Sequence, residues 1–270
     1  MRLDPGHFAV EDCLDQSAAN MHSFYEEKLS LSVGRRRSRK SSNRCGGTGL
    51  LRMRVVSVNC GVPQEVQWHG RTVTTGIYKQ PVEGRVRLRT LNLEGDRQAD
   101  LSVHGGREKA AYCYPLSHYD YWRAELPGRH LPMGMFGENF TTDGLSENTV
   151  FVGDKLSIGS AEVVVTQPRL PCYKLGIRFK SDEMVKRFLQ SARTGFYLGV
   201  TREGTVAAND EIVLIDREPN SVSVSEITRL YVAKRYSVGD LALAARTLSI
   251  AALPESWKDY FREQLQRFKA

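Results

Sequence analysis

Lys155-Leu156-Ser157-Ile158-Gly159-Ser160-Ala161-Glu162-Val163-Val164-Val165-Thr166 decides the fold. Two β-rich runs flank Gly159-Ser160, a two-residue hairpin signal with glycine at its first position. Working outward, Val55–Val58, Gly76–Lys79, Val86–Leu88 and Ala110–Tyr114 are further short β-like runs separated by Gly and Pro, and another pair surrounds Glu203-Gly204. About seven or eight candidate strands against two helices within residues 53–216 predict a mainly β domain, a barrel or sandwich.

The first helix is expected over Pro115–Leu126, with proline at its first position and Pro127-Gly128 as its stop. Ser181 can cap the second, which carries Asp182 and Glu183 in its first turn, Met184, Val185, Phe188 and Leu189 on one stripe, and Gly195 at its end. After Pro219 the period turns helical. Ser223-Val224-Ser225-Glu226 is a capping box, Ser237 to Asp240 opens a second helix, and Pro254 opens a third with Trp257, Phe261, Leu265 and Phe268 on one stripe. Three such helices are too few to stand alone, so they are expected to pack on the β domain or on a second copy of the chain. The division is a basic N-terminal extension at 1–52, a β domain at 53–218 and a three-helix module at 219–270.

The formal charge of +7 is local: residues 31–52 hold seven of the 38 basic residues and no acid, leaving 31 to balance the 31 acidic ones. With its Ser, Asn and Gly content, that segment reads as a disordered linker, not a folded nucleic-acid-binding face. Upstream, only Asn20–Leu29 shows a helical pattern, and Met53 is a candidate start of the native protein. A targeting peptide is the competing reading of the extension, against which Asp4, Glu11, Asp12, Asp15, Glu26 and Glu27 argue. No apolar run approaches the roughly 20 residues of a membrane span and no signal peptide opens the chain, so a cytoplasmic location is expected. Five cysteines at irregular spacing, with no C-x-x-C pair, indicate neither a disulfide framework nor a zinc site. Cys60 and Cys113 fall in apolar strands and are read as core; Cys13 and Cys45 lie outside the domain.

Three runs carry polar chemistry. In Gln167-Pro168-Arg169-Leu170-Pro171-Cys172-Tyr173-Lys174-Leu175 a hydrophobic strand stops at prolines and delivers a thiol between two cations, which favour the thiolate that attacks electrophiles or binds a soft metal. A lone cysteine is also commonly buried and inert. Gly95 to Lys109 packs Asp96, Asp100, His104, Gly105, Gly106 and Lys109 into one loop, where glycines let backbone approach a ligand and N–H groups with cations can cradle a phosphate. A plain polar loop, with Asp96 and Asp100 satisfying turn backbone, accounts for the same residues. Met135 to Thr141 places Gly137 before Glu138 and Asn139, which reads equally as a turn.

Taken together, these runs resemble the MOSC family, the molybdenum-cofactor sulfurase C-terminal domain, in its YiiM-like branch. The matching motifs are Gly95 to Gly106 leading to Lys109-Ala110-Ala111-Tyr112, Phe136 to Thr142, Val152 to Leu156, Gln167 to Leu175, and Leu253 to Arg262 in the helical module. Their order and spacing carry the match over residues 53 to 268. The resemblance implies a MOSC-type β-barrel with flanking helices plus a three-helix bundle, and a pterin-based molybdenum cofactor with Cys172 thiolate as its metal ligand. It places Arg169 and Lys174 in charge balance, Gly105, Gly106 and Lys109 on the pterin or substrate side, Asp100 behind that loop, and Glu138 and Asn139 at the cofactor. His104 is a candidate proton donor to a leaving hydroxyl; a structural histidine is equally consistent.

The resemblance further implies reduction of N-hydroxylated compounds such as 6-N-hydroxylaminopurine. The sequence carries no flavin, haem or iron–sulfur motif, so an external flavoprotein-type reductase is expected as the electron donor. The alternative is a cofactor-binding or sulfur-carrier protein using a Cys172 persulfide. The chain is too short to hold a pyridoxal-phosphate sulfurase beside the barrel, so pyridoxal phosphate is not expected. Membrane and nucleic-acid partners are not expected either, and a homodimer is a family-level expectation.

Overall fold

A computed structural model describes residues 52–100 and 105–268. The helix expected over Asn20–Leu29, nearly all of the basic extension, Cys13, Cys45 and His104 lie outside the described residues. The first strand, β1 (Arg54–Cys60), is followed by a separate hairpin of β2 (Gln64–Trp68) and β3 (Arg71–Thr75), then β4 (Gln80–Pro81), β5 (Val86–Leu88) and β6 (Ala111–Pro115). Helix α1 (Ser117–Glu125) leads to β7 (Phe140–Asp143), β8 (Lys155–Ile158) and β9 (Ala161–Pro168). Helices α2 (Tyr173–Phe179) and α3 (Glu183–Gln190) precede β10 (Phe196–Arg202), β11 (Gly204–Val206) and β12 (Ile212–Asp216). The chain ends in α4 (Val224–Val232), α5 (Val238–Thr247) and α6 (Glu255–Arg267).

Eight strands form one sheet in the order β12-β8-β9-β10-β6-β7-β1-β4. The β8–β9 pair is the hairpin expected at Gly159-Ser160, and β6–β7, joined through α1, is a parallel pair. An isolated Arg54↔Glu211 bridge, with Ile212 N–H donating to Met53 O at 2.8 Å, returns the start of β1 to the start of β12. The expected barrel is therefore a curled sheet, joined there by three backbone hydrogen bonds and not by a continuous ladder. Its interior packs Val58, Cys113, Phe140, Leu156, Val163 and Leu198. A second, aromatic cluster holds the three flanking helices to β6 through Tyr114, Trp122, Phe136, Phe179 and Phe188, with Trp122 and Phe188 stacked at 5.9 Å.

The C-terminal helices rest on the sheet: Val224, Ile227, Trp257 and Phe261 belong to the same apolar cluster as the strands. The expected capping box forms at Ser223 with Glu226, and the helix expected from Ser237 opens with a second one, Ser237 with Asp240. Trp257, whose burial at helix spacing leaves an indole N–H in need of an acceptor, donates Nε1 to Gln167 Oε1 at 2.7 Å.

Several local readings are corrected. Pro115 ends β6 opposite Thr142 instead of opening the helix; α1 starts at Ser117, because Leu116 N–H still donates across to Thr142 O. Gly76–Lys79 is irregular, and pairing begins only at Gln80. The strands around Glu203-Gly204 do not form a hairpin: β10 lies between β9 and β6, and β11 pairs with β5. Glu203 accepts hydrogen bonds from the Thr90 N–H (2.9 Å) and hydroxyl (2.8 Å), pulling the chain toward β5. Helix α3 begins at Glu183 without a side-chain cap. Gly195 directly precedes β10, at a point where a Cβ would lie 2.4 Å from Cys113 O.

Candidate functional site

Cys172 follows the end of β9 by four residues. Pro168 closes the ladder opposite Phe196, Arg169-Leu170-Pro171 cannot continue it, and Cys172 adopts extended backbone just ahead of α2. Its thiol is half-buried and lines an open cleft of about 590 Å³. Five of the fifteen residues lining that cleft are basic (Lys79, Arg97, Lys109, Arg169 and Lys174) and none is acidic.

Arg169 is the most constrained of these cations. It is only 6% exposed, its guanidinium lies 4.7 Å from the Tyr112 ring centroid and 5.3 Å from that of Phe188, and its backbone N–H donates to Gly195 O at 3.2 Å. Among the described residues no carboxylate pairs with it. Burial opposes its charge, but Tyr112, Tyr197 and Cys172 around it outweigh that and strengthen its hold on its proton. Lys174, in the first turn of α2, is equally buried and has no ion pair among the described residues. Burial weakens the hold of the Lys109 amine on its proton, with Glu108 working the other way.

The loops that carry these groups are held by close backbone approach. A Cβ on Gly76 would stand 2.5 Å from Arg97 O, and Gly137, at φ 82°, would meet Ile77 Cγ1 at 2.9 Å. Lys79 and Asp96 form a buried ion pair between the same loops. Asp96 also accepts from Gly61 N–H (2.9 Å) and from Asn139 Nδ2 (2.9 Å), as a loop-satisfying aspartate should. Asn139 reaches the cleft while its Oδ1 accepts from Tyr112 N–H at 3.0 Å, fixing the strand that bears Tyr112.

The other expected site residues are dispersed. Tyr173, beside Cys172, has its phenol pushed up by burial, then by Cys172 and Asp100, and Asp100 does not line the cleft. Gly105 and Gly106 lead into the short 3-10 turn Arg107–Lys109 but do not line the cleft. Glu138 is not among the residues lining the cleft. Fully buried outside the lining, it accepts hydrogen bonds from the Tyr119 hydroxyl, Gly134 N–H (2.9 Å), Phe136 N–H (3.1 Å) and the Thr141 hydroxyl (2.9 Å), so it shapes its own turn and offers no lone pair to the cleft. Burial raises its carboxyl pKa, and those hydrogen bonds work against the rise. Lys79, Tyr112 and Tyr197 were not singled out in the sequence. Apolar alternation marks both tyrosines as strand residues, but no spacing rule brings their rings to Arg169.

Cys60 and Cys113 are core thiols as expected; burial, the largest influence on each, pushes them up to about 11 and about 12.

Residues 100–213 match the model of the MOSC domain and residues 222–268 that of the YiiM-like 3-alpha helix domain. The protein YflK of Bacillus subtilis (strain 168) is 40% identical over 216 residues, covering 80% of this chain and 96% of that protein. The chain belongs to the YiiM-like MOSC family. The crystal structure of YiiM from Geobacillus stearothermophilus superposes on this MOSC protein with a TM-score of 0.66 at 33% identity, covering 79% of this chain and 99% of that one. A Gibberella moniliformis (strain M3125 / FGSC 7600) protein named a reductase is 35% identical over 176 residues, which are 64% of this chain but 31% of that protein. MOSC domains are associated with molybdenum-cofactor binding in general, and the donor set here fits such a group: a half-buried thiol for a soft metal, and the buried cations Arg169 and Lys174, without a paired carboxylate among the described residues, for the charge of a dithiolene and a phosphate.

Proposed function

We propose that this protein holds a molybdenum cofactor through Cys172 and reduces N-hydroxylated compounds, 6-N-hydroxylaminopurine among them, to their amino forms. The observation that carries the reading is a cleft lined by a thiol and five basic residues with no acid. Two electrons and two protons convert R–NH–OH to R–NH2 and water: the N–O bond breaks, an N–H bond forms, and the oxygen leaves as water. When bound, the cofactor supplies a redox centre able to pass those electrons, drawn from an external flavoprotein-type reductase.

The chain's own residues bind, orient and supply protons. Arg169 and Lys174 hold anionic groups of the cofactor from below the surface, where water screens them little. Tyr112, its hydroxyl committed to Thr194 O at 2.7 Å, and Tyr197 form the wall that fixes Arg169. His104 is the proposed proton donor to the leaving hydroxyl. Asn139 keeps the β6 wall and the Asp96 loop in register.

Elemental analysis combined with reductase-dependent turnover of 6-N-hydroxylaminopurine tests metal, residue and reaction together. Wild type should retain molybdenum and turn over, and Cys172→Ser should lose both. Metal-free protein carrying labile sulfur after cofactor-replete expression would replace this reading with a persulfide carrier.

A further inference from the structure

A second cavity shares no lining residue with the Cys172 cleft. It is bordered by α1, the 146–148 turn, the 191–193 turn after α3, and Ser225 of α4. Glu147 is the one carboxylate in its lining, and it is already engaged. Its oxygens lie 2.9 and 2.7 Å from His118 Nε2, and Gly195 N–H donates to it at 2.7 Å. Both partners are more than nine-tenths buried, His118 at 8% exposure and Glu147 at 4%. The Nδ1 of His118 has no hydrogen-bond partner among the described residues. A buried imidazole oriented by a carboxylate on one nitrogen and left open on the other is set to meet something else.

Arg193 is the second unspent group. Its guanidinium stands 3.9 Å over the Tyr121 ring, and its hydrogen bond is to Ser191 O (3.0 Å), leaving further N–H donors; no carboxylate pairs with it among the described residues. The remaining polar lining is hydroxyl and amide: Ser117, Ser146, Asn148 and Ser225. A fork of guanidinium donors among hydroxyls suits a tetrahedral oxyanion, which takes several hydrogen bonds at once. A cationic ligand would find no free acid. The cavity, about 330 Å³, exceeds what one phosphate fills and falls at the lower end of the range of small-molecule sites.

From these observations we infer that this cavity binds a phosphomonoester, with Arg193 on the phosphate and His118 lining the pocket beside it, oriented by Glu147. The inference does not depend on the chemistry proposed at Cys172. Calorimetric titration of the full-length protein with ribose 5-phosphate and, separately, with inorganic phosphate tests it. Ribose 5-phosphate should bind, about tenfold or more weakly in Arg193→Gln, more weakly also in Asn148→Asp, which sets a repelling charge in an exposed position, and with unchanged affinity in Arg169→Gln. Inorganic phosphate binding as tightly as the ester, with the same variant pattern, would keep the oxyanion site but overturn the organic ligand. Affinity that survives both cavity variants, affinity abolished by Arg169→Gln, or no binding of either probe would overturn the site itself.

Discussion

Lys79 and Arg169 line the same cleft and are equally buried, at 7% and 6% exposure, yet their charges are handled in opposite ways. Lys79 is closed onto Asp96, which Gly61 and Asn139 also hold, so its charge is spent inside the protein. Arg169 faces aromatic rings and a thiol and, among the described residues, meets no carboxylate. A paired buried ion acts as a strut between loops; an unpaired one keeps its field for a ligand. The cleft therefore has a structural wall and a functional wall, distinguished by charge pairing and not by depth.

The largest expected effect lies on the functional wall. Cys172→Ser should take turnover to background while shifting unfolding by no more than about 0.5 kcal/mol, read from denaturant melts. On the structural wall, Asp96→Asn should cost about 3–5 kcal/mol by stranding the Lys79 ammonium. Arg169→Met in cofactor-free protein should cost about 1–2 kcal/mol through its lost ring contacts, and equal losses in these two variants would erase the distinction.

The thiols sharpen it further. With Cys13 and Cys45 replaced by serine, a disulfide reagent at pH 8 should label Cys172 and leave Cys60 and Cys113 unmodified in the native state; fast labelling of all three would place the latter two outside the core. Because burial raises the last two above the ordinary thiol value of 9.0, their neutral forms favour the folded state below pH 9. That contribution is lost as pH climbs through about 11 and about 12. A smaller effect belongs to Trp257→Phe, which keeps an aromatic ring but removes the bond to Gln167 and should cost about 0.5–1.5 kcal/mol in denaturant melts.

How much of this was legible follows from which features are local. The β8–β9 hairpin, the Ser223 capping box, the helix start at Ser237 and the Trp257, Phe261, Leu265 stripe rest on contacts a few residues apart and could be read directly. Helix α2 was missed because Tyr173-Lys174-Leu175-Gly176-Ile177-Arg178-Phe179 mixes Gly with β-branched and aromatic residues over only seven positions; the aromatic cluster around Phe179 makes it helical. The strands flanking Glu203-Gly204 misled because a Gly-containing break predicts a turn but not its direction, which Thr90 decides from far away in the chain. At the site, Cys172 stood out through its prolines and cations. The internal duty of Glu138 and the pairing of Lys79 with Asp96 are set by tertiary contacts that no motif encodes.

The bond between Trp257 and Gln167 has one more consequence. Gln167 lies five residues before Cys172, on the strand that carries the chain into the cleft, and its amide nitrogen is buried without a partner. The helical module thus grips the same rigid strand whose far end presents the sulfur. The module therefore bears on the strand that ends four residues ahead of Cys172, although none of its residues lines the cleft. Exchanging the module between relatives would measure how far that one contact reaches toward the cysteine.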